Sequence, residues 1–119
     1  MYIQKPTLAG PIYVPATYKI TLCISGDVKK KLRDKHDVGL EQVQACFDNR
    51  DRAYFFDTRE EHQTDPATRW FIAEYELGKS LKVCFMYFAQ DRRIEVKIAY
   101  PPNQSEIEIY AKAPPRASP

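Results

Sequence analysis

The sequence predicts an α+β domain in which two N-terminal helices pack on an antiparallel sheet and a C-terminal helix follows. Three observations lead there. Apolar and polar residues alternate in three successive segments, 69–77, 81–88 and 93–100, and the connections between them are short enough to imply antiparallel hairpins. Ahead of them, apolar residues recur at helical spacing in two runs, Val28, Leu32, His36 and then Leu40, Val43, Cys46, Phe47. A chain of 119 residues is also long enough for one core but too short for a separate cofactor domain.

Residues 1–17 read as an irregular N-terminal arm, because Pro6, Pro11 and Pro15 remove backbone donors at short intervals. The single domain then spans residues 18–112. It opens with a half-buried strand that sets Tyr18, Ile20, Leu22 and Ile24 on one side. Ser25 can cap the first helix, whose Lys29, Lys30, Arg33 and Asp34 stay wet. Asp37 tolerates the left-handed turn that ends a helix, and Gly39 suits the cap of the next.

Residues 53–56 form a short aromatic strand, followed by a polar loop, Asp57-Thr58-Arg59-Glu60-Glu61-His62, that runs on to Asp65-Pro66. The three alternating strands turn at Gly78-Lys79 and at Gln90-Asp91, and Pro101-Pro102 stops the last. Asn103 with Glu106 three residues on has the form of a capping box, for a helix carrying Ile107 and Tyr110 inward. Residues 113–119 are a Pro-rich tail, expected to be disordered.

Period-two alternation separates two faces of the sheet. Phe71, Ala73, Tyr75 and Leu77, then Leu81, Val83, Phe85 and Tyr87, then Ile94, Val96, Ile98 and Tyr100 are expected under the helices. The other face carries Trp70, Ile72 and Glu74, then Lys82, Cys84 and Met86, then Arg93, Glu95, Lys97 and Ala99. Either the last helix or the arm covers its apolar strip, or the strip meets a partner.

Composition excludes some classes. A charged fraction of 29% beside 44% apolar residues is ordinary for a globular protein, and a net charge of +2 permits nucleic-acid binding without requiring it. Cys23, Cys46 and Cys84 lack metal-ligand spacing and sit in apolar patterns, which points to buried, reduced thiols in a cytoplasmic protein. No apolar run approaches the ~20 residues that span a membrane. The four glycines form no phosphate loop, and Asp57, Glu60, Glu61 and Asp65 have no recognised metal spacing, so neither cofactor nor metal is expected.

For chemistry near neutral pH, His36 and His62 are the two imidazoles. Each also has a plain reading, His36 as a helix-terminal residue beside Leu32 and His62 as a surface residue in a charged loop. Arg59 and Arg69 can grip phosphate through two parallel hydrogen bonds, yet Arg59 amid Asp57, Glu60 and Glu61 serves equally well as a salt-bridge organiser. Lys82, Arg93 and Lys97 suit phosphate contacts or a solvated face, and Trp70 either stacks a base or fills a core.

Taken together, Lys35-His36, Val38, the 41–47 helix, Asp57-Thr58-Arg59-Glu60 with His62, Arg69-Trp70, Gly78-Lys79-Ser80-Leu81 and residues 94–110 resemble BrnT-type toxins of bacterial type II toxin-antitoxin systems. The resemblance covers most of residues 30–110. It implies a RelE/ParE-like fold and a metal-independent, cofactor-free endoribonuclease held inactive by a cognate antitoxin. The catalytic set would be His36, Arg59, His62 and Arg69. RNA would meet Trp70, Lys82, Arg93 and Lys97, and the antitoxin Trp70, Ile72 and Met86. The chain departs from that family where an arginine usually follows the alanine near the end of the last strand, since Tyr100 follows Ala99. The alternatives are a non-catalytic protein- or RNA-binding module and a small enzyme acting on a nucleotide ligand.

Overall fold

The computed structural model describes residues 7–10, 20–59 and 63–116. Its elements are β1 (Thr7–Ala9), β2 (Thr21–Ile24), α1 (Gly26–His36), α2 (Leu40–Asn49), β3 (Tyr54–Phe56), β4 (Thr68–Glu76), β5 (Lys79–Phe88), β6 (Arg93–Tyr100) and α3 (Gln104–Tyr110). The class is α+β. One six-stranded sheet, in the order β1-β3-β4-β5-β6-β2, carries the three helices.

The expected helix boundaries hold for local reasons. The Ser25 hydroxyl accepts the Val28 N–H at 3.3 Å and starts α1. Asp37, at φ 52°, ends it by turning its own N–H onto the Arg33 carbonyl and that of Val38 onto the Leu32 carbonyl. Three residues later α2 begins, with the Gln42 side chain accepting the Gly39 N–H at 2.8 Å. The connection is so short that both helices lie on one face, α1 against β6 and α2 across β4 and β5.

Under them sits an aromatic core. Phe47 of α2 lies 4.8 Å from Phe71 and 5.2 Å from Phe85, and Tyr54 closes the group at 5.0 Å from Phe85. Cys46 is buried beside it with its Sγ 3.4 Å from the Ala73 carbonyl oxygen, and burial pushes the thiol up to about 12. Cys84 is buried as well, whereas Cys23 is half-buried.

Four expectations are corrected. The sheet is mixed, not antiparallel throughout, because β2 runs parallel to β6, with Leu22 opposite Ile94. Part of the arm is a strand: β1 pairs with β3, Leu8 opposite Phe55. The remainder of the arm, including the start of the expected strand at Tyr18, lies outside the described residues. The tail is docked at its start, since Ala113 is buried, Pro115 bridges Arg52 and the Arg116 N–H reaches the Asp51 carbonyl at 2.9 Å.

The fourth correction concerns β6. Its pairing with β5 runs Phe85 with Val96 and then Cys84 with Ile98, so Lys97 is an extra residue in the strand. A bulge of this kind reverses the inward and outward positions beyond it. Ala99, opposite Val83, is therefore in the core, while Ile98 and Tyr100 emerge on the other face, opposite Cys84 and Lys82. The hairpin end likewise frees Leu77, which is 95% exposed.

Val83 is completely buried between β4 and β6. Val83→Asp should abolish folding, because an unpaired buried carboxylate costs several kcal/mol against a total stability of about 5–15. Lys97→Ala, at the exposed bulge, should stay within about 0.5 kcal/mol of the parent in chemical denaturation.

Candidate functional site

The face opposite α1 and α2 is not an open surface. α3 lies across it, held by Tyr110, whose hydroxyl donates to the Arg52 and Ala53 carbonyls at 3.0 and 2.9 Å. The Tyr110 ring meets Phe55 at 5.9 Å and Trp70 at 5.7 Å. Trp70 is consequently 8% exposed and fills a second, smaller core. Ile107, expected inward, is on the outer side of α3, and Glu106 takes the inward place one turn before Tyr110.

Glu106 organises the polar part of this face. Its Oε2 accepts the Lys82 ammonium at 2.8 Å and the Tyr100 hydroxyl at 2.6 Å. Its Oε1 accepts the Asn103 N–H at 3.0 Å, completing a capping box in which Asn103 Oδ1 accepts the Glu106 N–H. Burial alone would raise this carboxyl, but the hydrogen bonds from Lys82, Tyr100 and Asn103 together hold it below the usual carboxylate range. Burial, reinforced by the adjacent carboxylate, raises Tyr100, so its phenol stays protonated and donates. Lys82 is only 5% exposed, and its ammonium also stands 4.5 Å from the Trp70 ring centroid.

A second charged unit approaches from the loop after β3. The Asp57 N–H bonds the Thr68 carbonyl at 2.8 Å, which fixes the start of the loop against β4. The buried Asp57 carboxylate then grips the Arg59 guanidinium with both oxygens, at 3.0 Å to Nε and 2.8 Å to Nη2. That pairing raises Arg59 further above its already high value. Arg59 remains 43% exposed at its side chain, and its charge is felt by both Tyr100 and Cys84. Desolvation pushes the Cys84 thiol up to about 11, so it is no nucleophile near neutral pH.

The structure divides the sequence candidates. Arg59 is on the α3 face. Arg69 is on the opposite face, in register with Phe56 and Phe85, its Nη1 donating to the Gly10 carbonyl at 2.6 Å. His36 closes α1 in the helical layer, and His62 with Glu60 and Glu61 lies outside the described residues. The sheet thus separates Arg59 from Arg69 and His36, and they do not form one catalytic set. Of the four residues expected to meet RNA, Trp70 and Lys82 are buried and engaged, Arg93 stacks 4.4 Å over Phe88 beside Asp91 and Glu95, and Lys97 is exposed. Met86 is buried at 9% exposure and Ile72 is half-buried.

Sequence reasoning missed Tyr100 and Glu106 as members of the site. The capping box was legible, but its carboxylate's reach to the sheet depends on α3 crossing this face. Tyr100 was placed under α1 and α2 because the bulge has no signature in alternation. Among the described residues, no group of three or more His, Cys, Asp or Glu side chains could hold a metal ion. No helix among them is long and apolar enough to cross a membrane.

Because Glu106 is depressed in the folded state, its contribution is present above the ordinary carboxylate range and is lost as pH falls through its folded value. Thermal melting followed from neutral to acidic pH should therefore show a loss that Glu106→Gln removes in part. Lys82→Ala should cost about 2–3 kcal/mol, less than the roughly 3–5 of a fully buried pair because Glu106 can regain some water. Comparison of the chain with protein-family models, with curated proteins and with solved structures finds no match.

Proposed function

We propose that this protein is the toxin half of a toxin-antitoxin pair, with a RelE/ParE-like ancestry, and that it cleaves RNA without a metal ion. The observation that carries this reading is the convergence of Arg59, Tyr100, Lys82 and Glu106 at one end of the α3 face. Metal-free cleavage needs a base for the ribose 2′-hydroxyl, positive charge for the phosphorane and a proton for the leaving oxygen. Glu106, held ionised by Lys82, Tyr100 and Asn103, positions Lys82 and Tyr100, and the 2′-hydroxyl proton passes to water. Arg59, partly exposed and held in a fixed fork by Asp57, supplies the charge. Tyr100, kept protonated, supplies a donor in the place where the resembled family carries its arginine. His36 and Arg69, on the far side of the sheet, have no part in this version of the site, and RNA contacts are reassigned from Trp70 to Arg59 and its neighbours.

A second reading is favoured by the Lys82–Glu106 pair. Two buried groups that neutralise each other serve to anchor α3, and on that view the domain binds protein or RNA without cutting it. A nucleotide-directed enzyme would use Arg59 in the same way.

Partner-free protein should cleave RNA in EDTA. Arg59→Lys, which keeps a charge for Asp57 but loses the fork, and Tyr100→Phe should each slow cleavage by roughly 10²-fold while remaining folded. Full activity in both would remove them from the site. Absence of cleavage by folded parent protein, together with retained RNA or antitoxin binding, would favour the binding module.

A further inference from the structure

β4 is longer than the strand beside it. β3 pairs with it at two positions, Phe55 with Trp70 and Phe56 with Arg69. Before Tyr54 the chain turns away, and Ala53 and Asp51 pair instead with Pro114 and Arg116. From Ile72 onward, no strand among the described residues lies along that side of β4, although β5 continues to pair with the other side as far as Glu76.

The exposed edge has backbone groups to offer. The Thr68 carbonyl points toward β3, where it accepts the Asp57 N–H, and strand alternation turns Trp70, Ile72 and Glu74 the same way. The Glu74 carbonyl is taken by the Asn49 side-chain amide at 3.0 Å. Among the described residues, the N–H and C=O of Ile72 and the N–H of Glu74 have no hydrogen-bond partner.

Along this edge runs an open groove of about 500 Å³ between Ile72, Glu74 and Leu77 on one side and Asn49, Asp51 and Tyr110 on the other. Its charge is predominantly acidic. Three carboxylates, Asp51, Glu74 and Glu76, line it beside one guanidinium, Arg52, which keeps its charge while donating to the Ala113 carbonyl; Lys79 pairs with Glu76, and Glu74 accepts the Gly78 N–H at 3.0 Å. Asp51 and Glu74 have no cation paired with them by a salt bridge among the described residues.

We propose that this edge is a docking site for an extended, basic segment of a partner protein, which adds as a strand to β4 in the line that β3 leaves. Main-chain hydrogen bonds to Ile72 and Glu74 supply the register. Lysine or arginine side chains at alternate positions lie on the face that Ile72 and Glu74 share, with their stems over Ile72 and their charges toward Glu74 and Asp51, while the intervening apolar side chains turn to the face of Ala73. The inference stands apart from the RNA reading, since it uses neither Arg59 nor the Glu106 cluster. Acidic walls disfavour a nucleic acid here.

The test uses the full chain and a short blocked peptide of alternating lysine and valine. The expected result is that the Ile72 and Glu74 amide resonances shift and become protected from exchange when it is added. A glutamate-valine peptide should bind roughly tenfold more weakly or worse. N-methylation of the lysine-valine peptide on alternate amides should abolish binding, and so should Glu74→Pro, which removes an edge donor without touching the β5 ladder. If that variant does not fold, the N-methylated peptide decides alone, with Glu74→Lys expected to weaken the basic peptide and favour the acidic one.

Equal binding of the N-methylated peptide would overturn the proposal, because charge alone would then suffice. Failure of the lysine-valine peptide to bind would also overturn it. So would amides at Ile72 and Glu74 already protected in the free monomer, which would mean that the chain covers its own edge. A dimer in sedimentation that Glu74→Pro abolishes would assign the edge to a second copy instead.

Discussion

The extra residue at Lys97 is the constraint on which the α3 face depends. In an unbulged strand, residues 98 and 100 would follow Ile94 and Val96 into the main core. With one residue inserted, Ala99 packs opposite Val83 instead, and the Tyr100 hydroxyl is carried to the far side, within 2.6 Å of Glu106. Beneath α1 and α2 a small residue thus replaces a phenol, so one local irregularity both closes one core and furnishes the other face. A bulge re-aims the side chains beyond it at the cost of one locally disrupted step of the ladder.

The two sides of the sheet are built on different terms. Under α1 and α2 the packing is aromatic and aliphatic, with Phe47, Tyr54, Phe71 and Phe85 meeting mostly edge to face. Under α3, Trp70 packs with Phe55 and Tyr110 on one side and, with Tyr100, borders an ion pair on the other. The lysine stem packs in the apolar layer while its ammonium meets a carboxylate and the Trp70 face, so burial of the charge is compensated on two sides. A helix of seven residues has little stability of its own. It persists because Tyr110 and Glu106, one turn apart, each bond to groups outside it.

Most local structure was legible. Ser25, Asp37, Gly39 and the Asn103–Glu106 pair signal helix ends through interactions within a few residues, and those signals held. The alternation of β4 and β5 was read correctly as well, because their facing residues are set by period two without interruption through the core. What failed was non-local. The parallel partner of β2, the strand hidden in the arm, the docked residues 113–116 and the face chosen by α3 all depend on segments distant in sequence. For the site, the polar loop marks Arg59 in the sequence, and the structure pairs it with Asp57 on the α3 face. The grouping of Arg59 with Arg69 failed because Arg69 belongs to β4, where alternation turns it to the face opposite the one that Arg59 approaches from the loop.

The order of the sheet places β1 and β2, successive in the chain, at its two opposite borders. Two strands close in sequence therefore complete the sheet at both of its sides. During synthesis these strands emerge first, yet neither has a partner until β3 and, for β2, β6 exist, some 70 residues later by the pairing of Leu22 with Ile94. Conversely, loss of this one segment would strip both borders at once, leaving β3 and β6 as raw edges able to pair with other molecules. Cover for both borders is thus concentrated in Thr7–Ala9 and Thr21–Ile24, far in sequence from Tyr100 and Glu106.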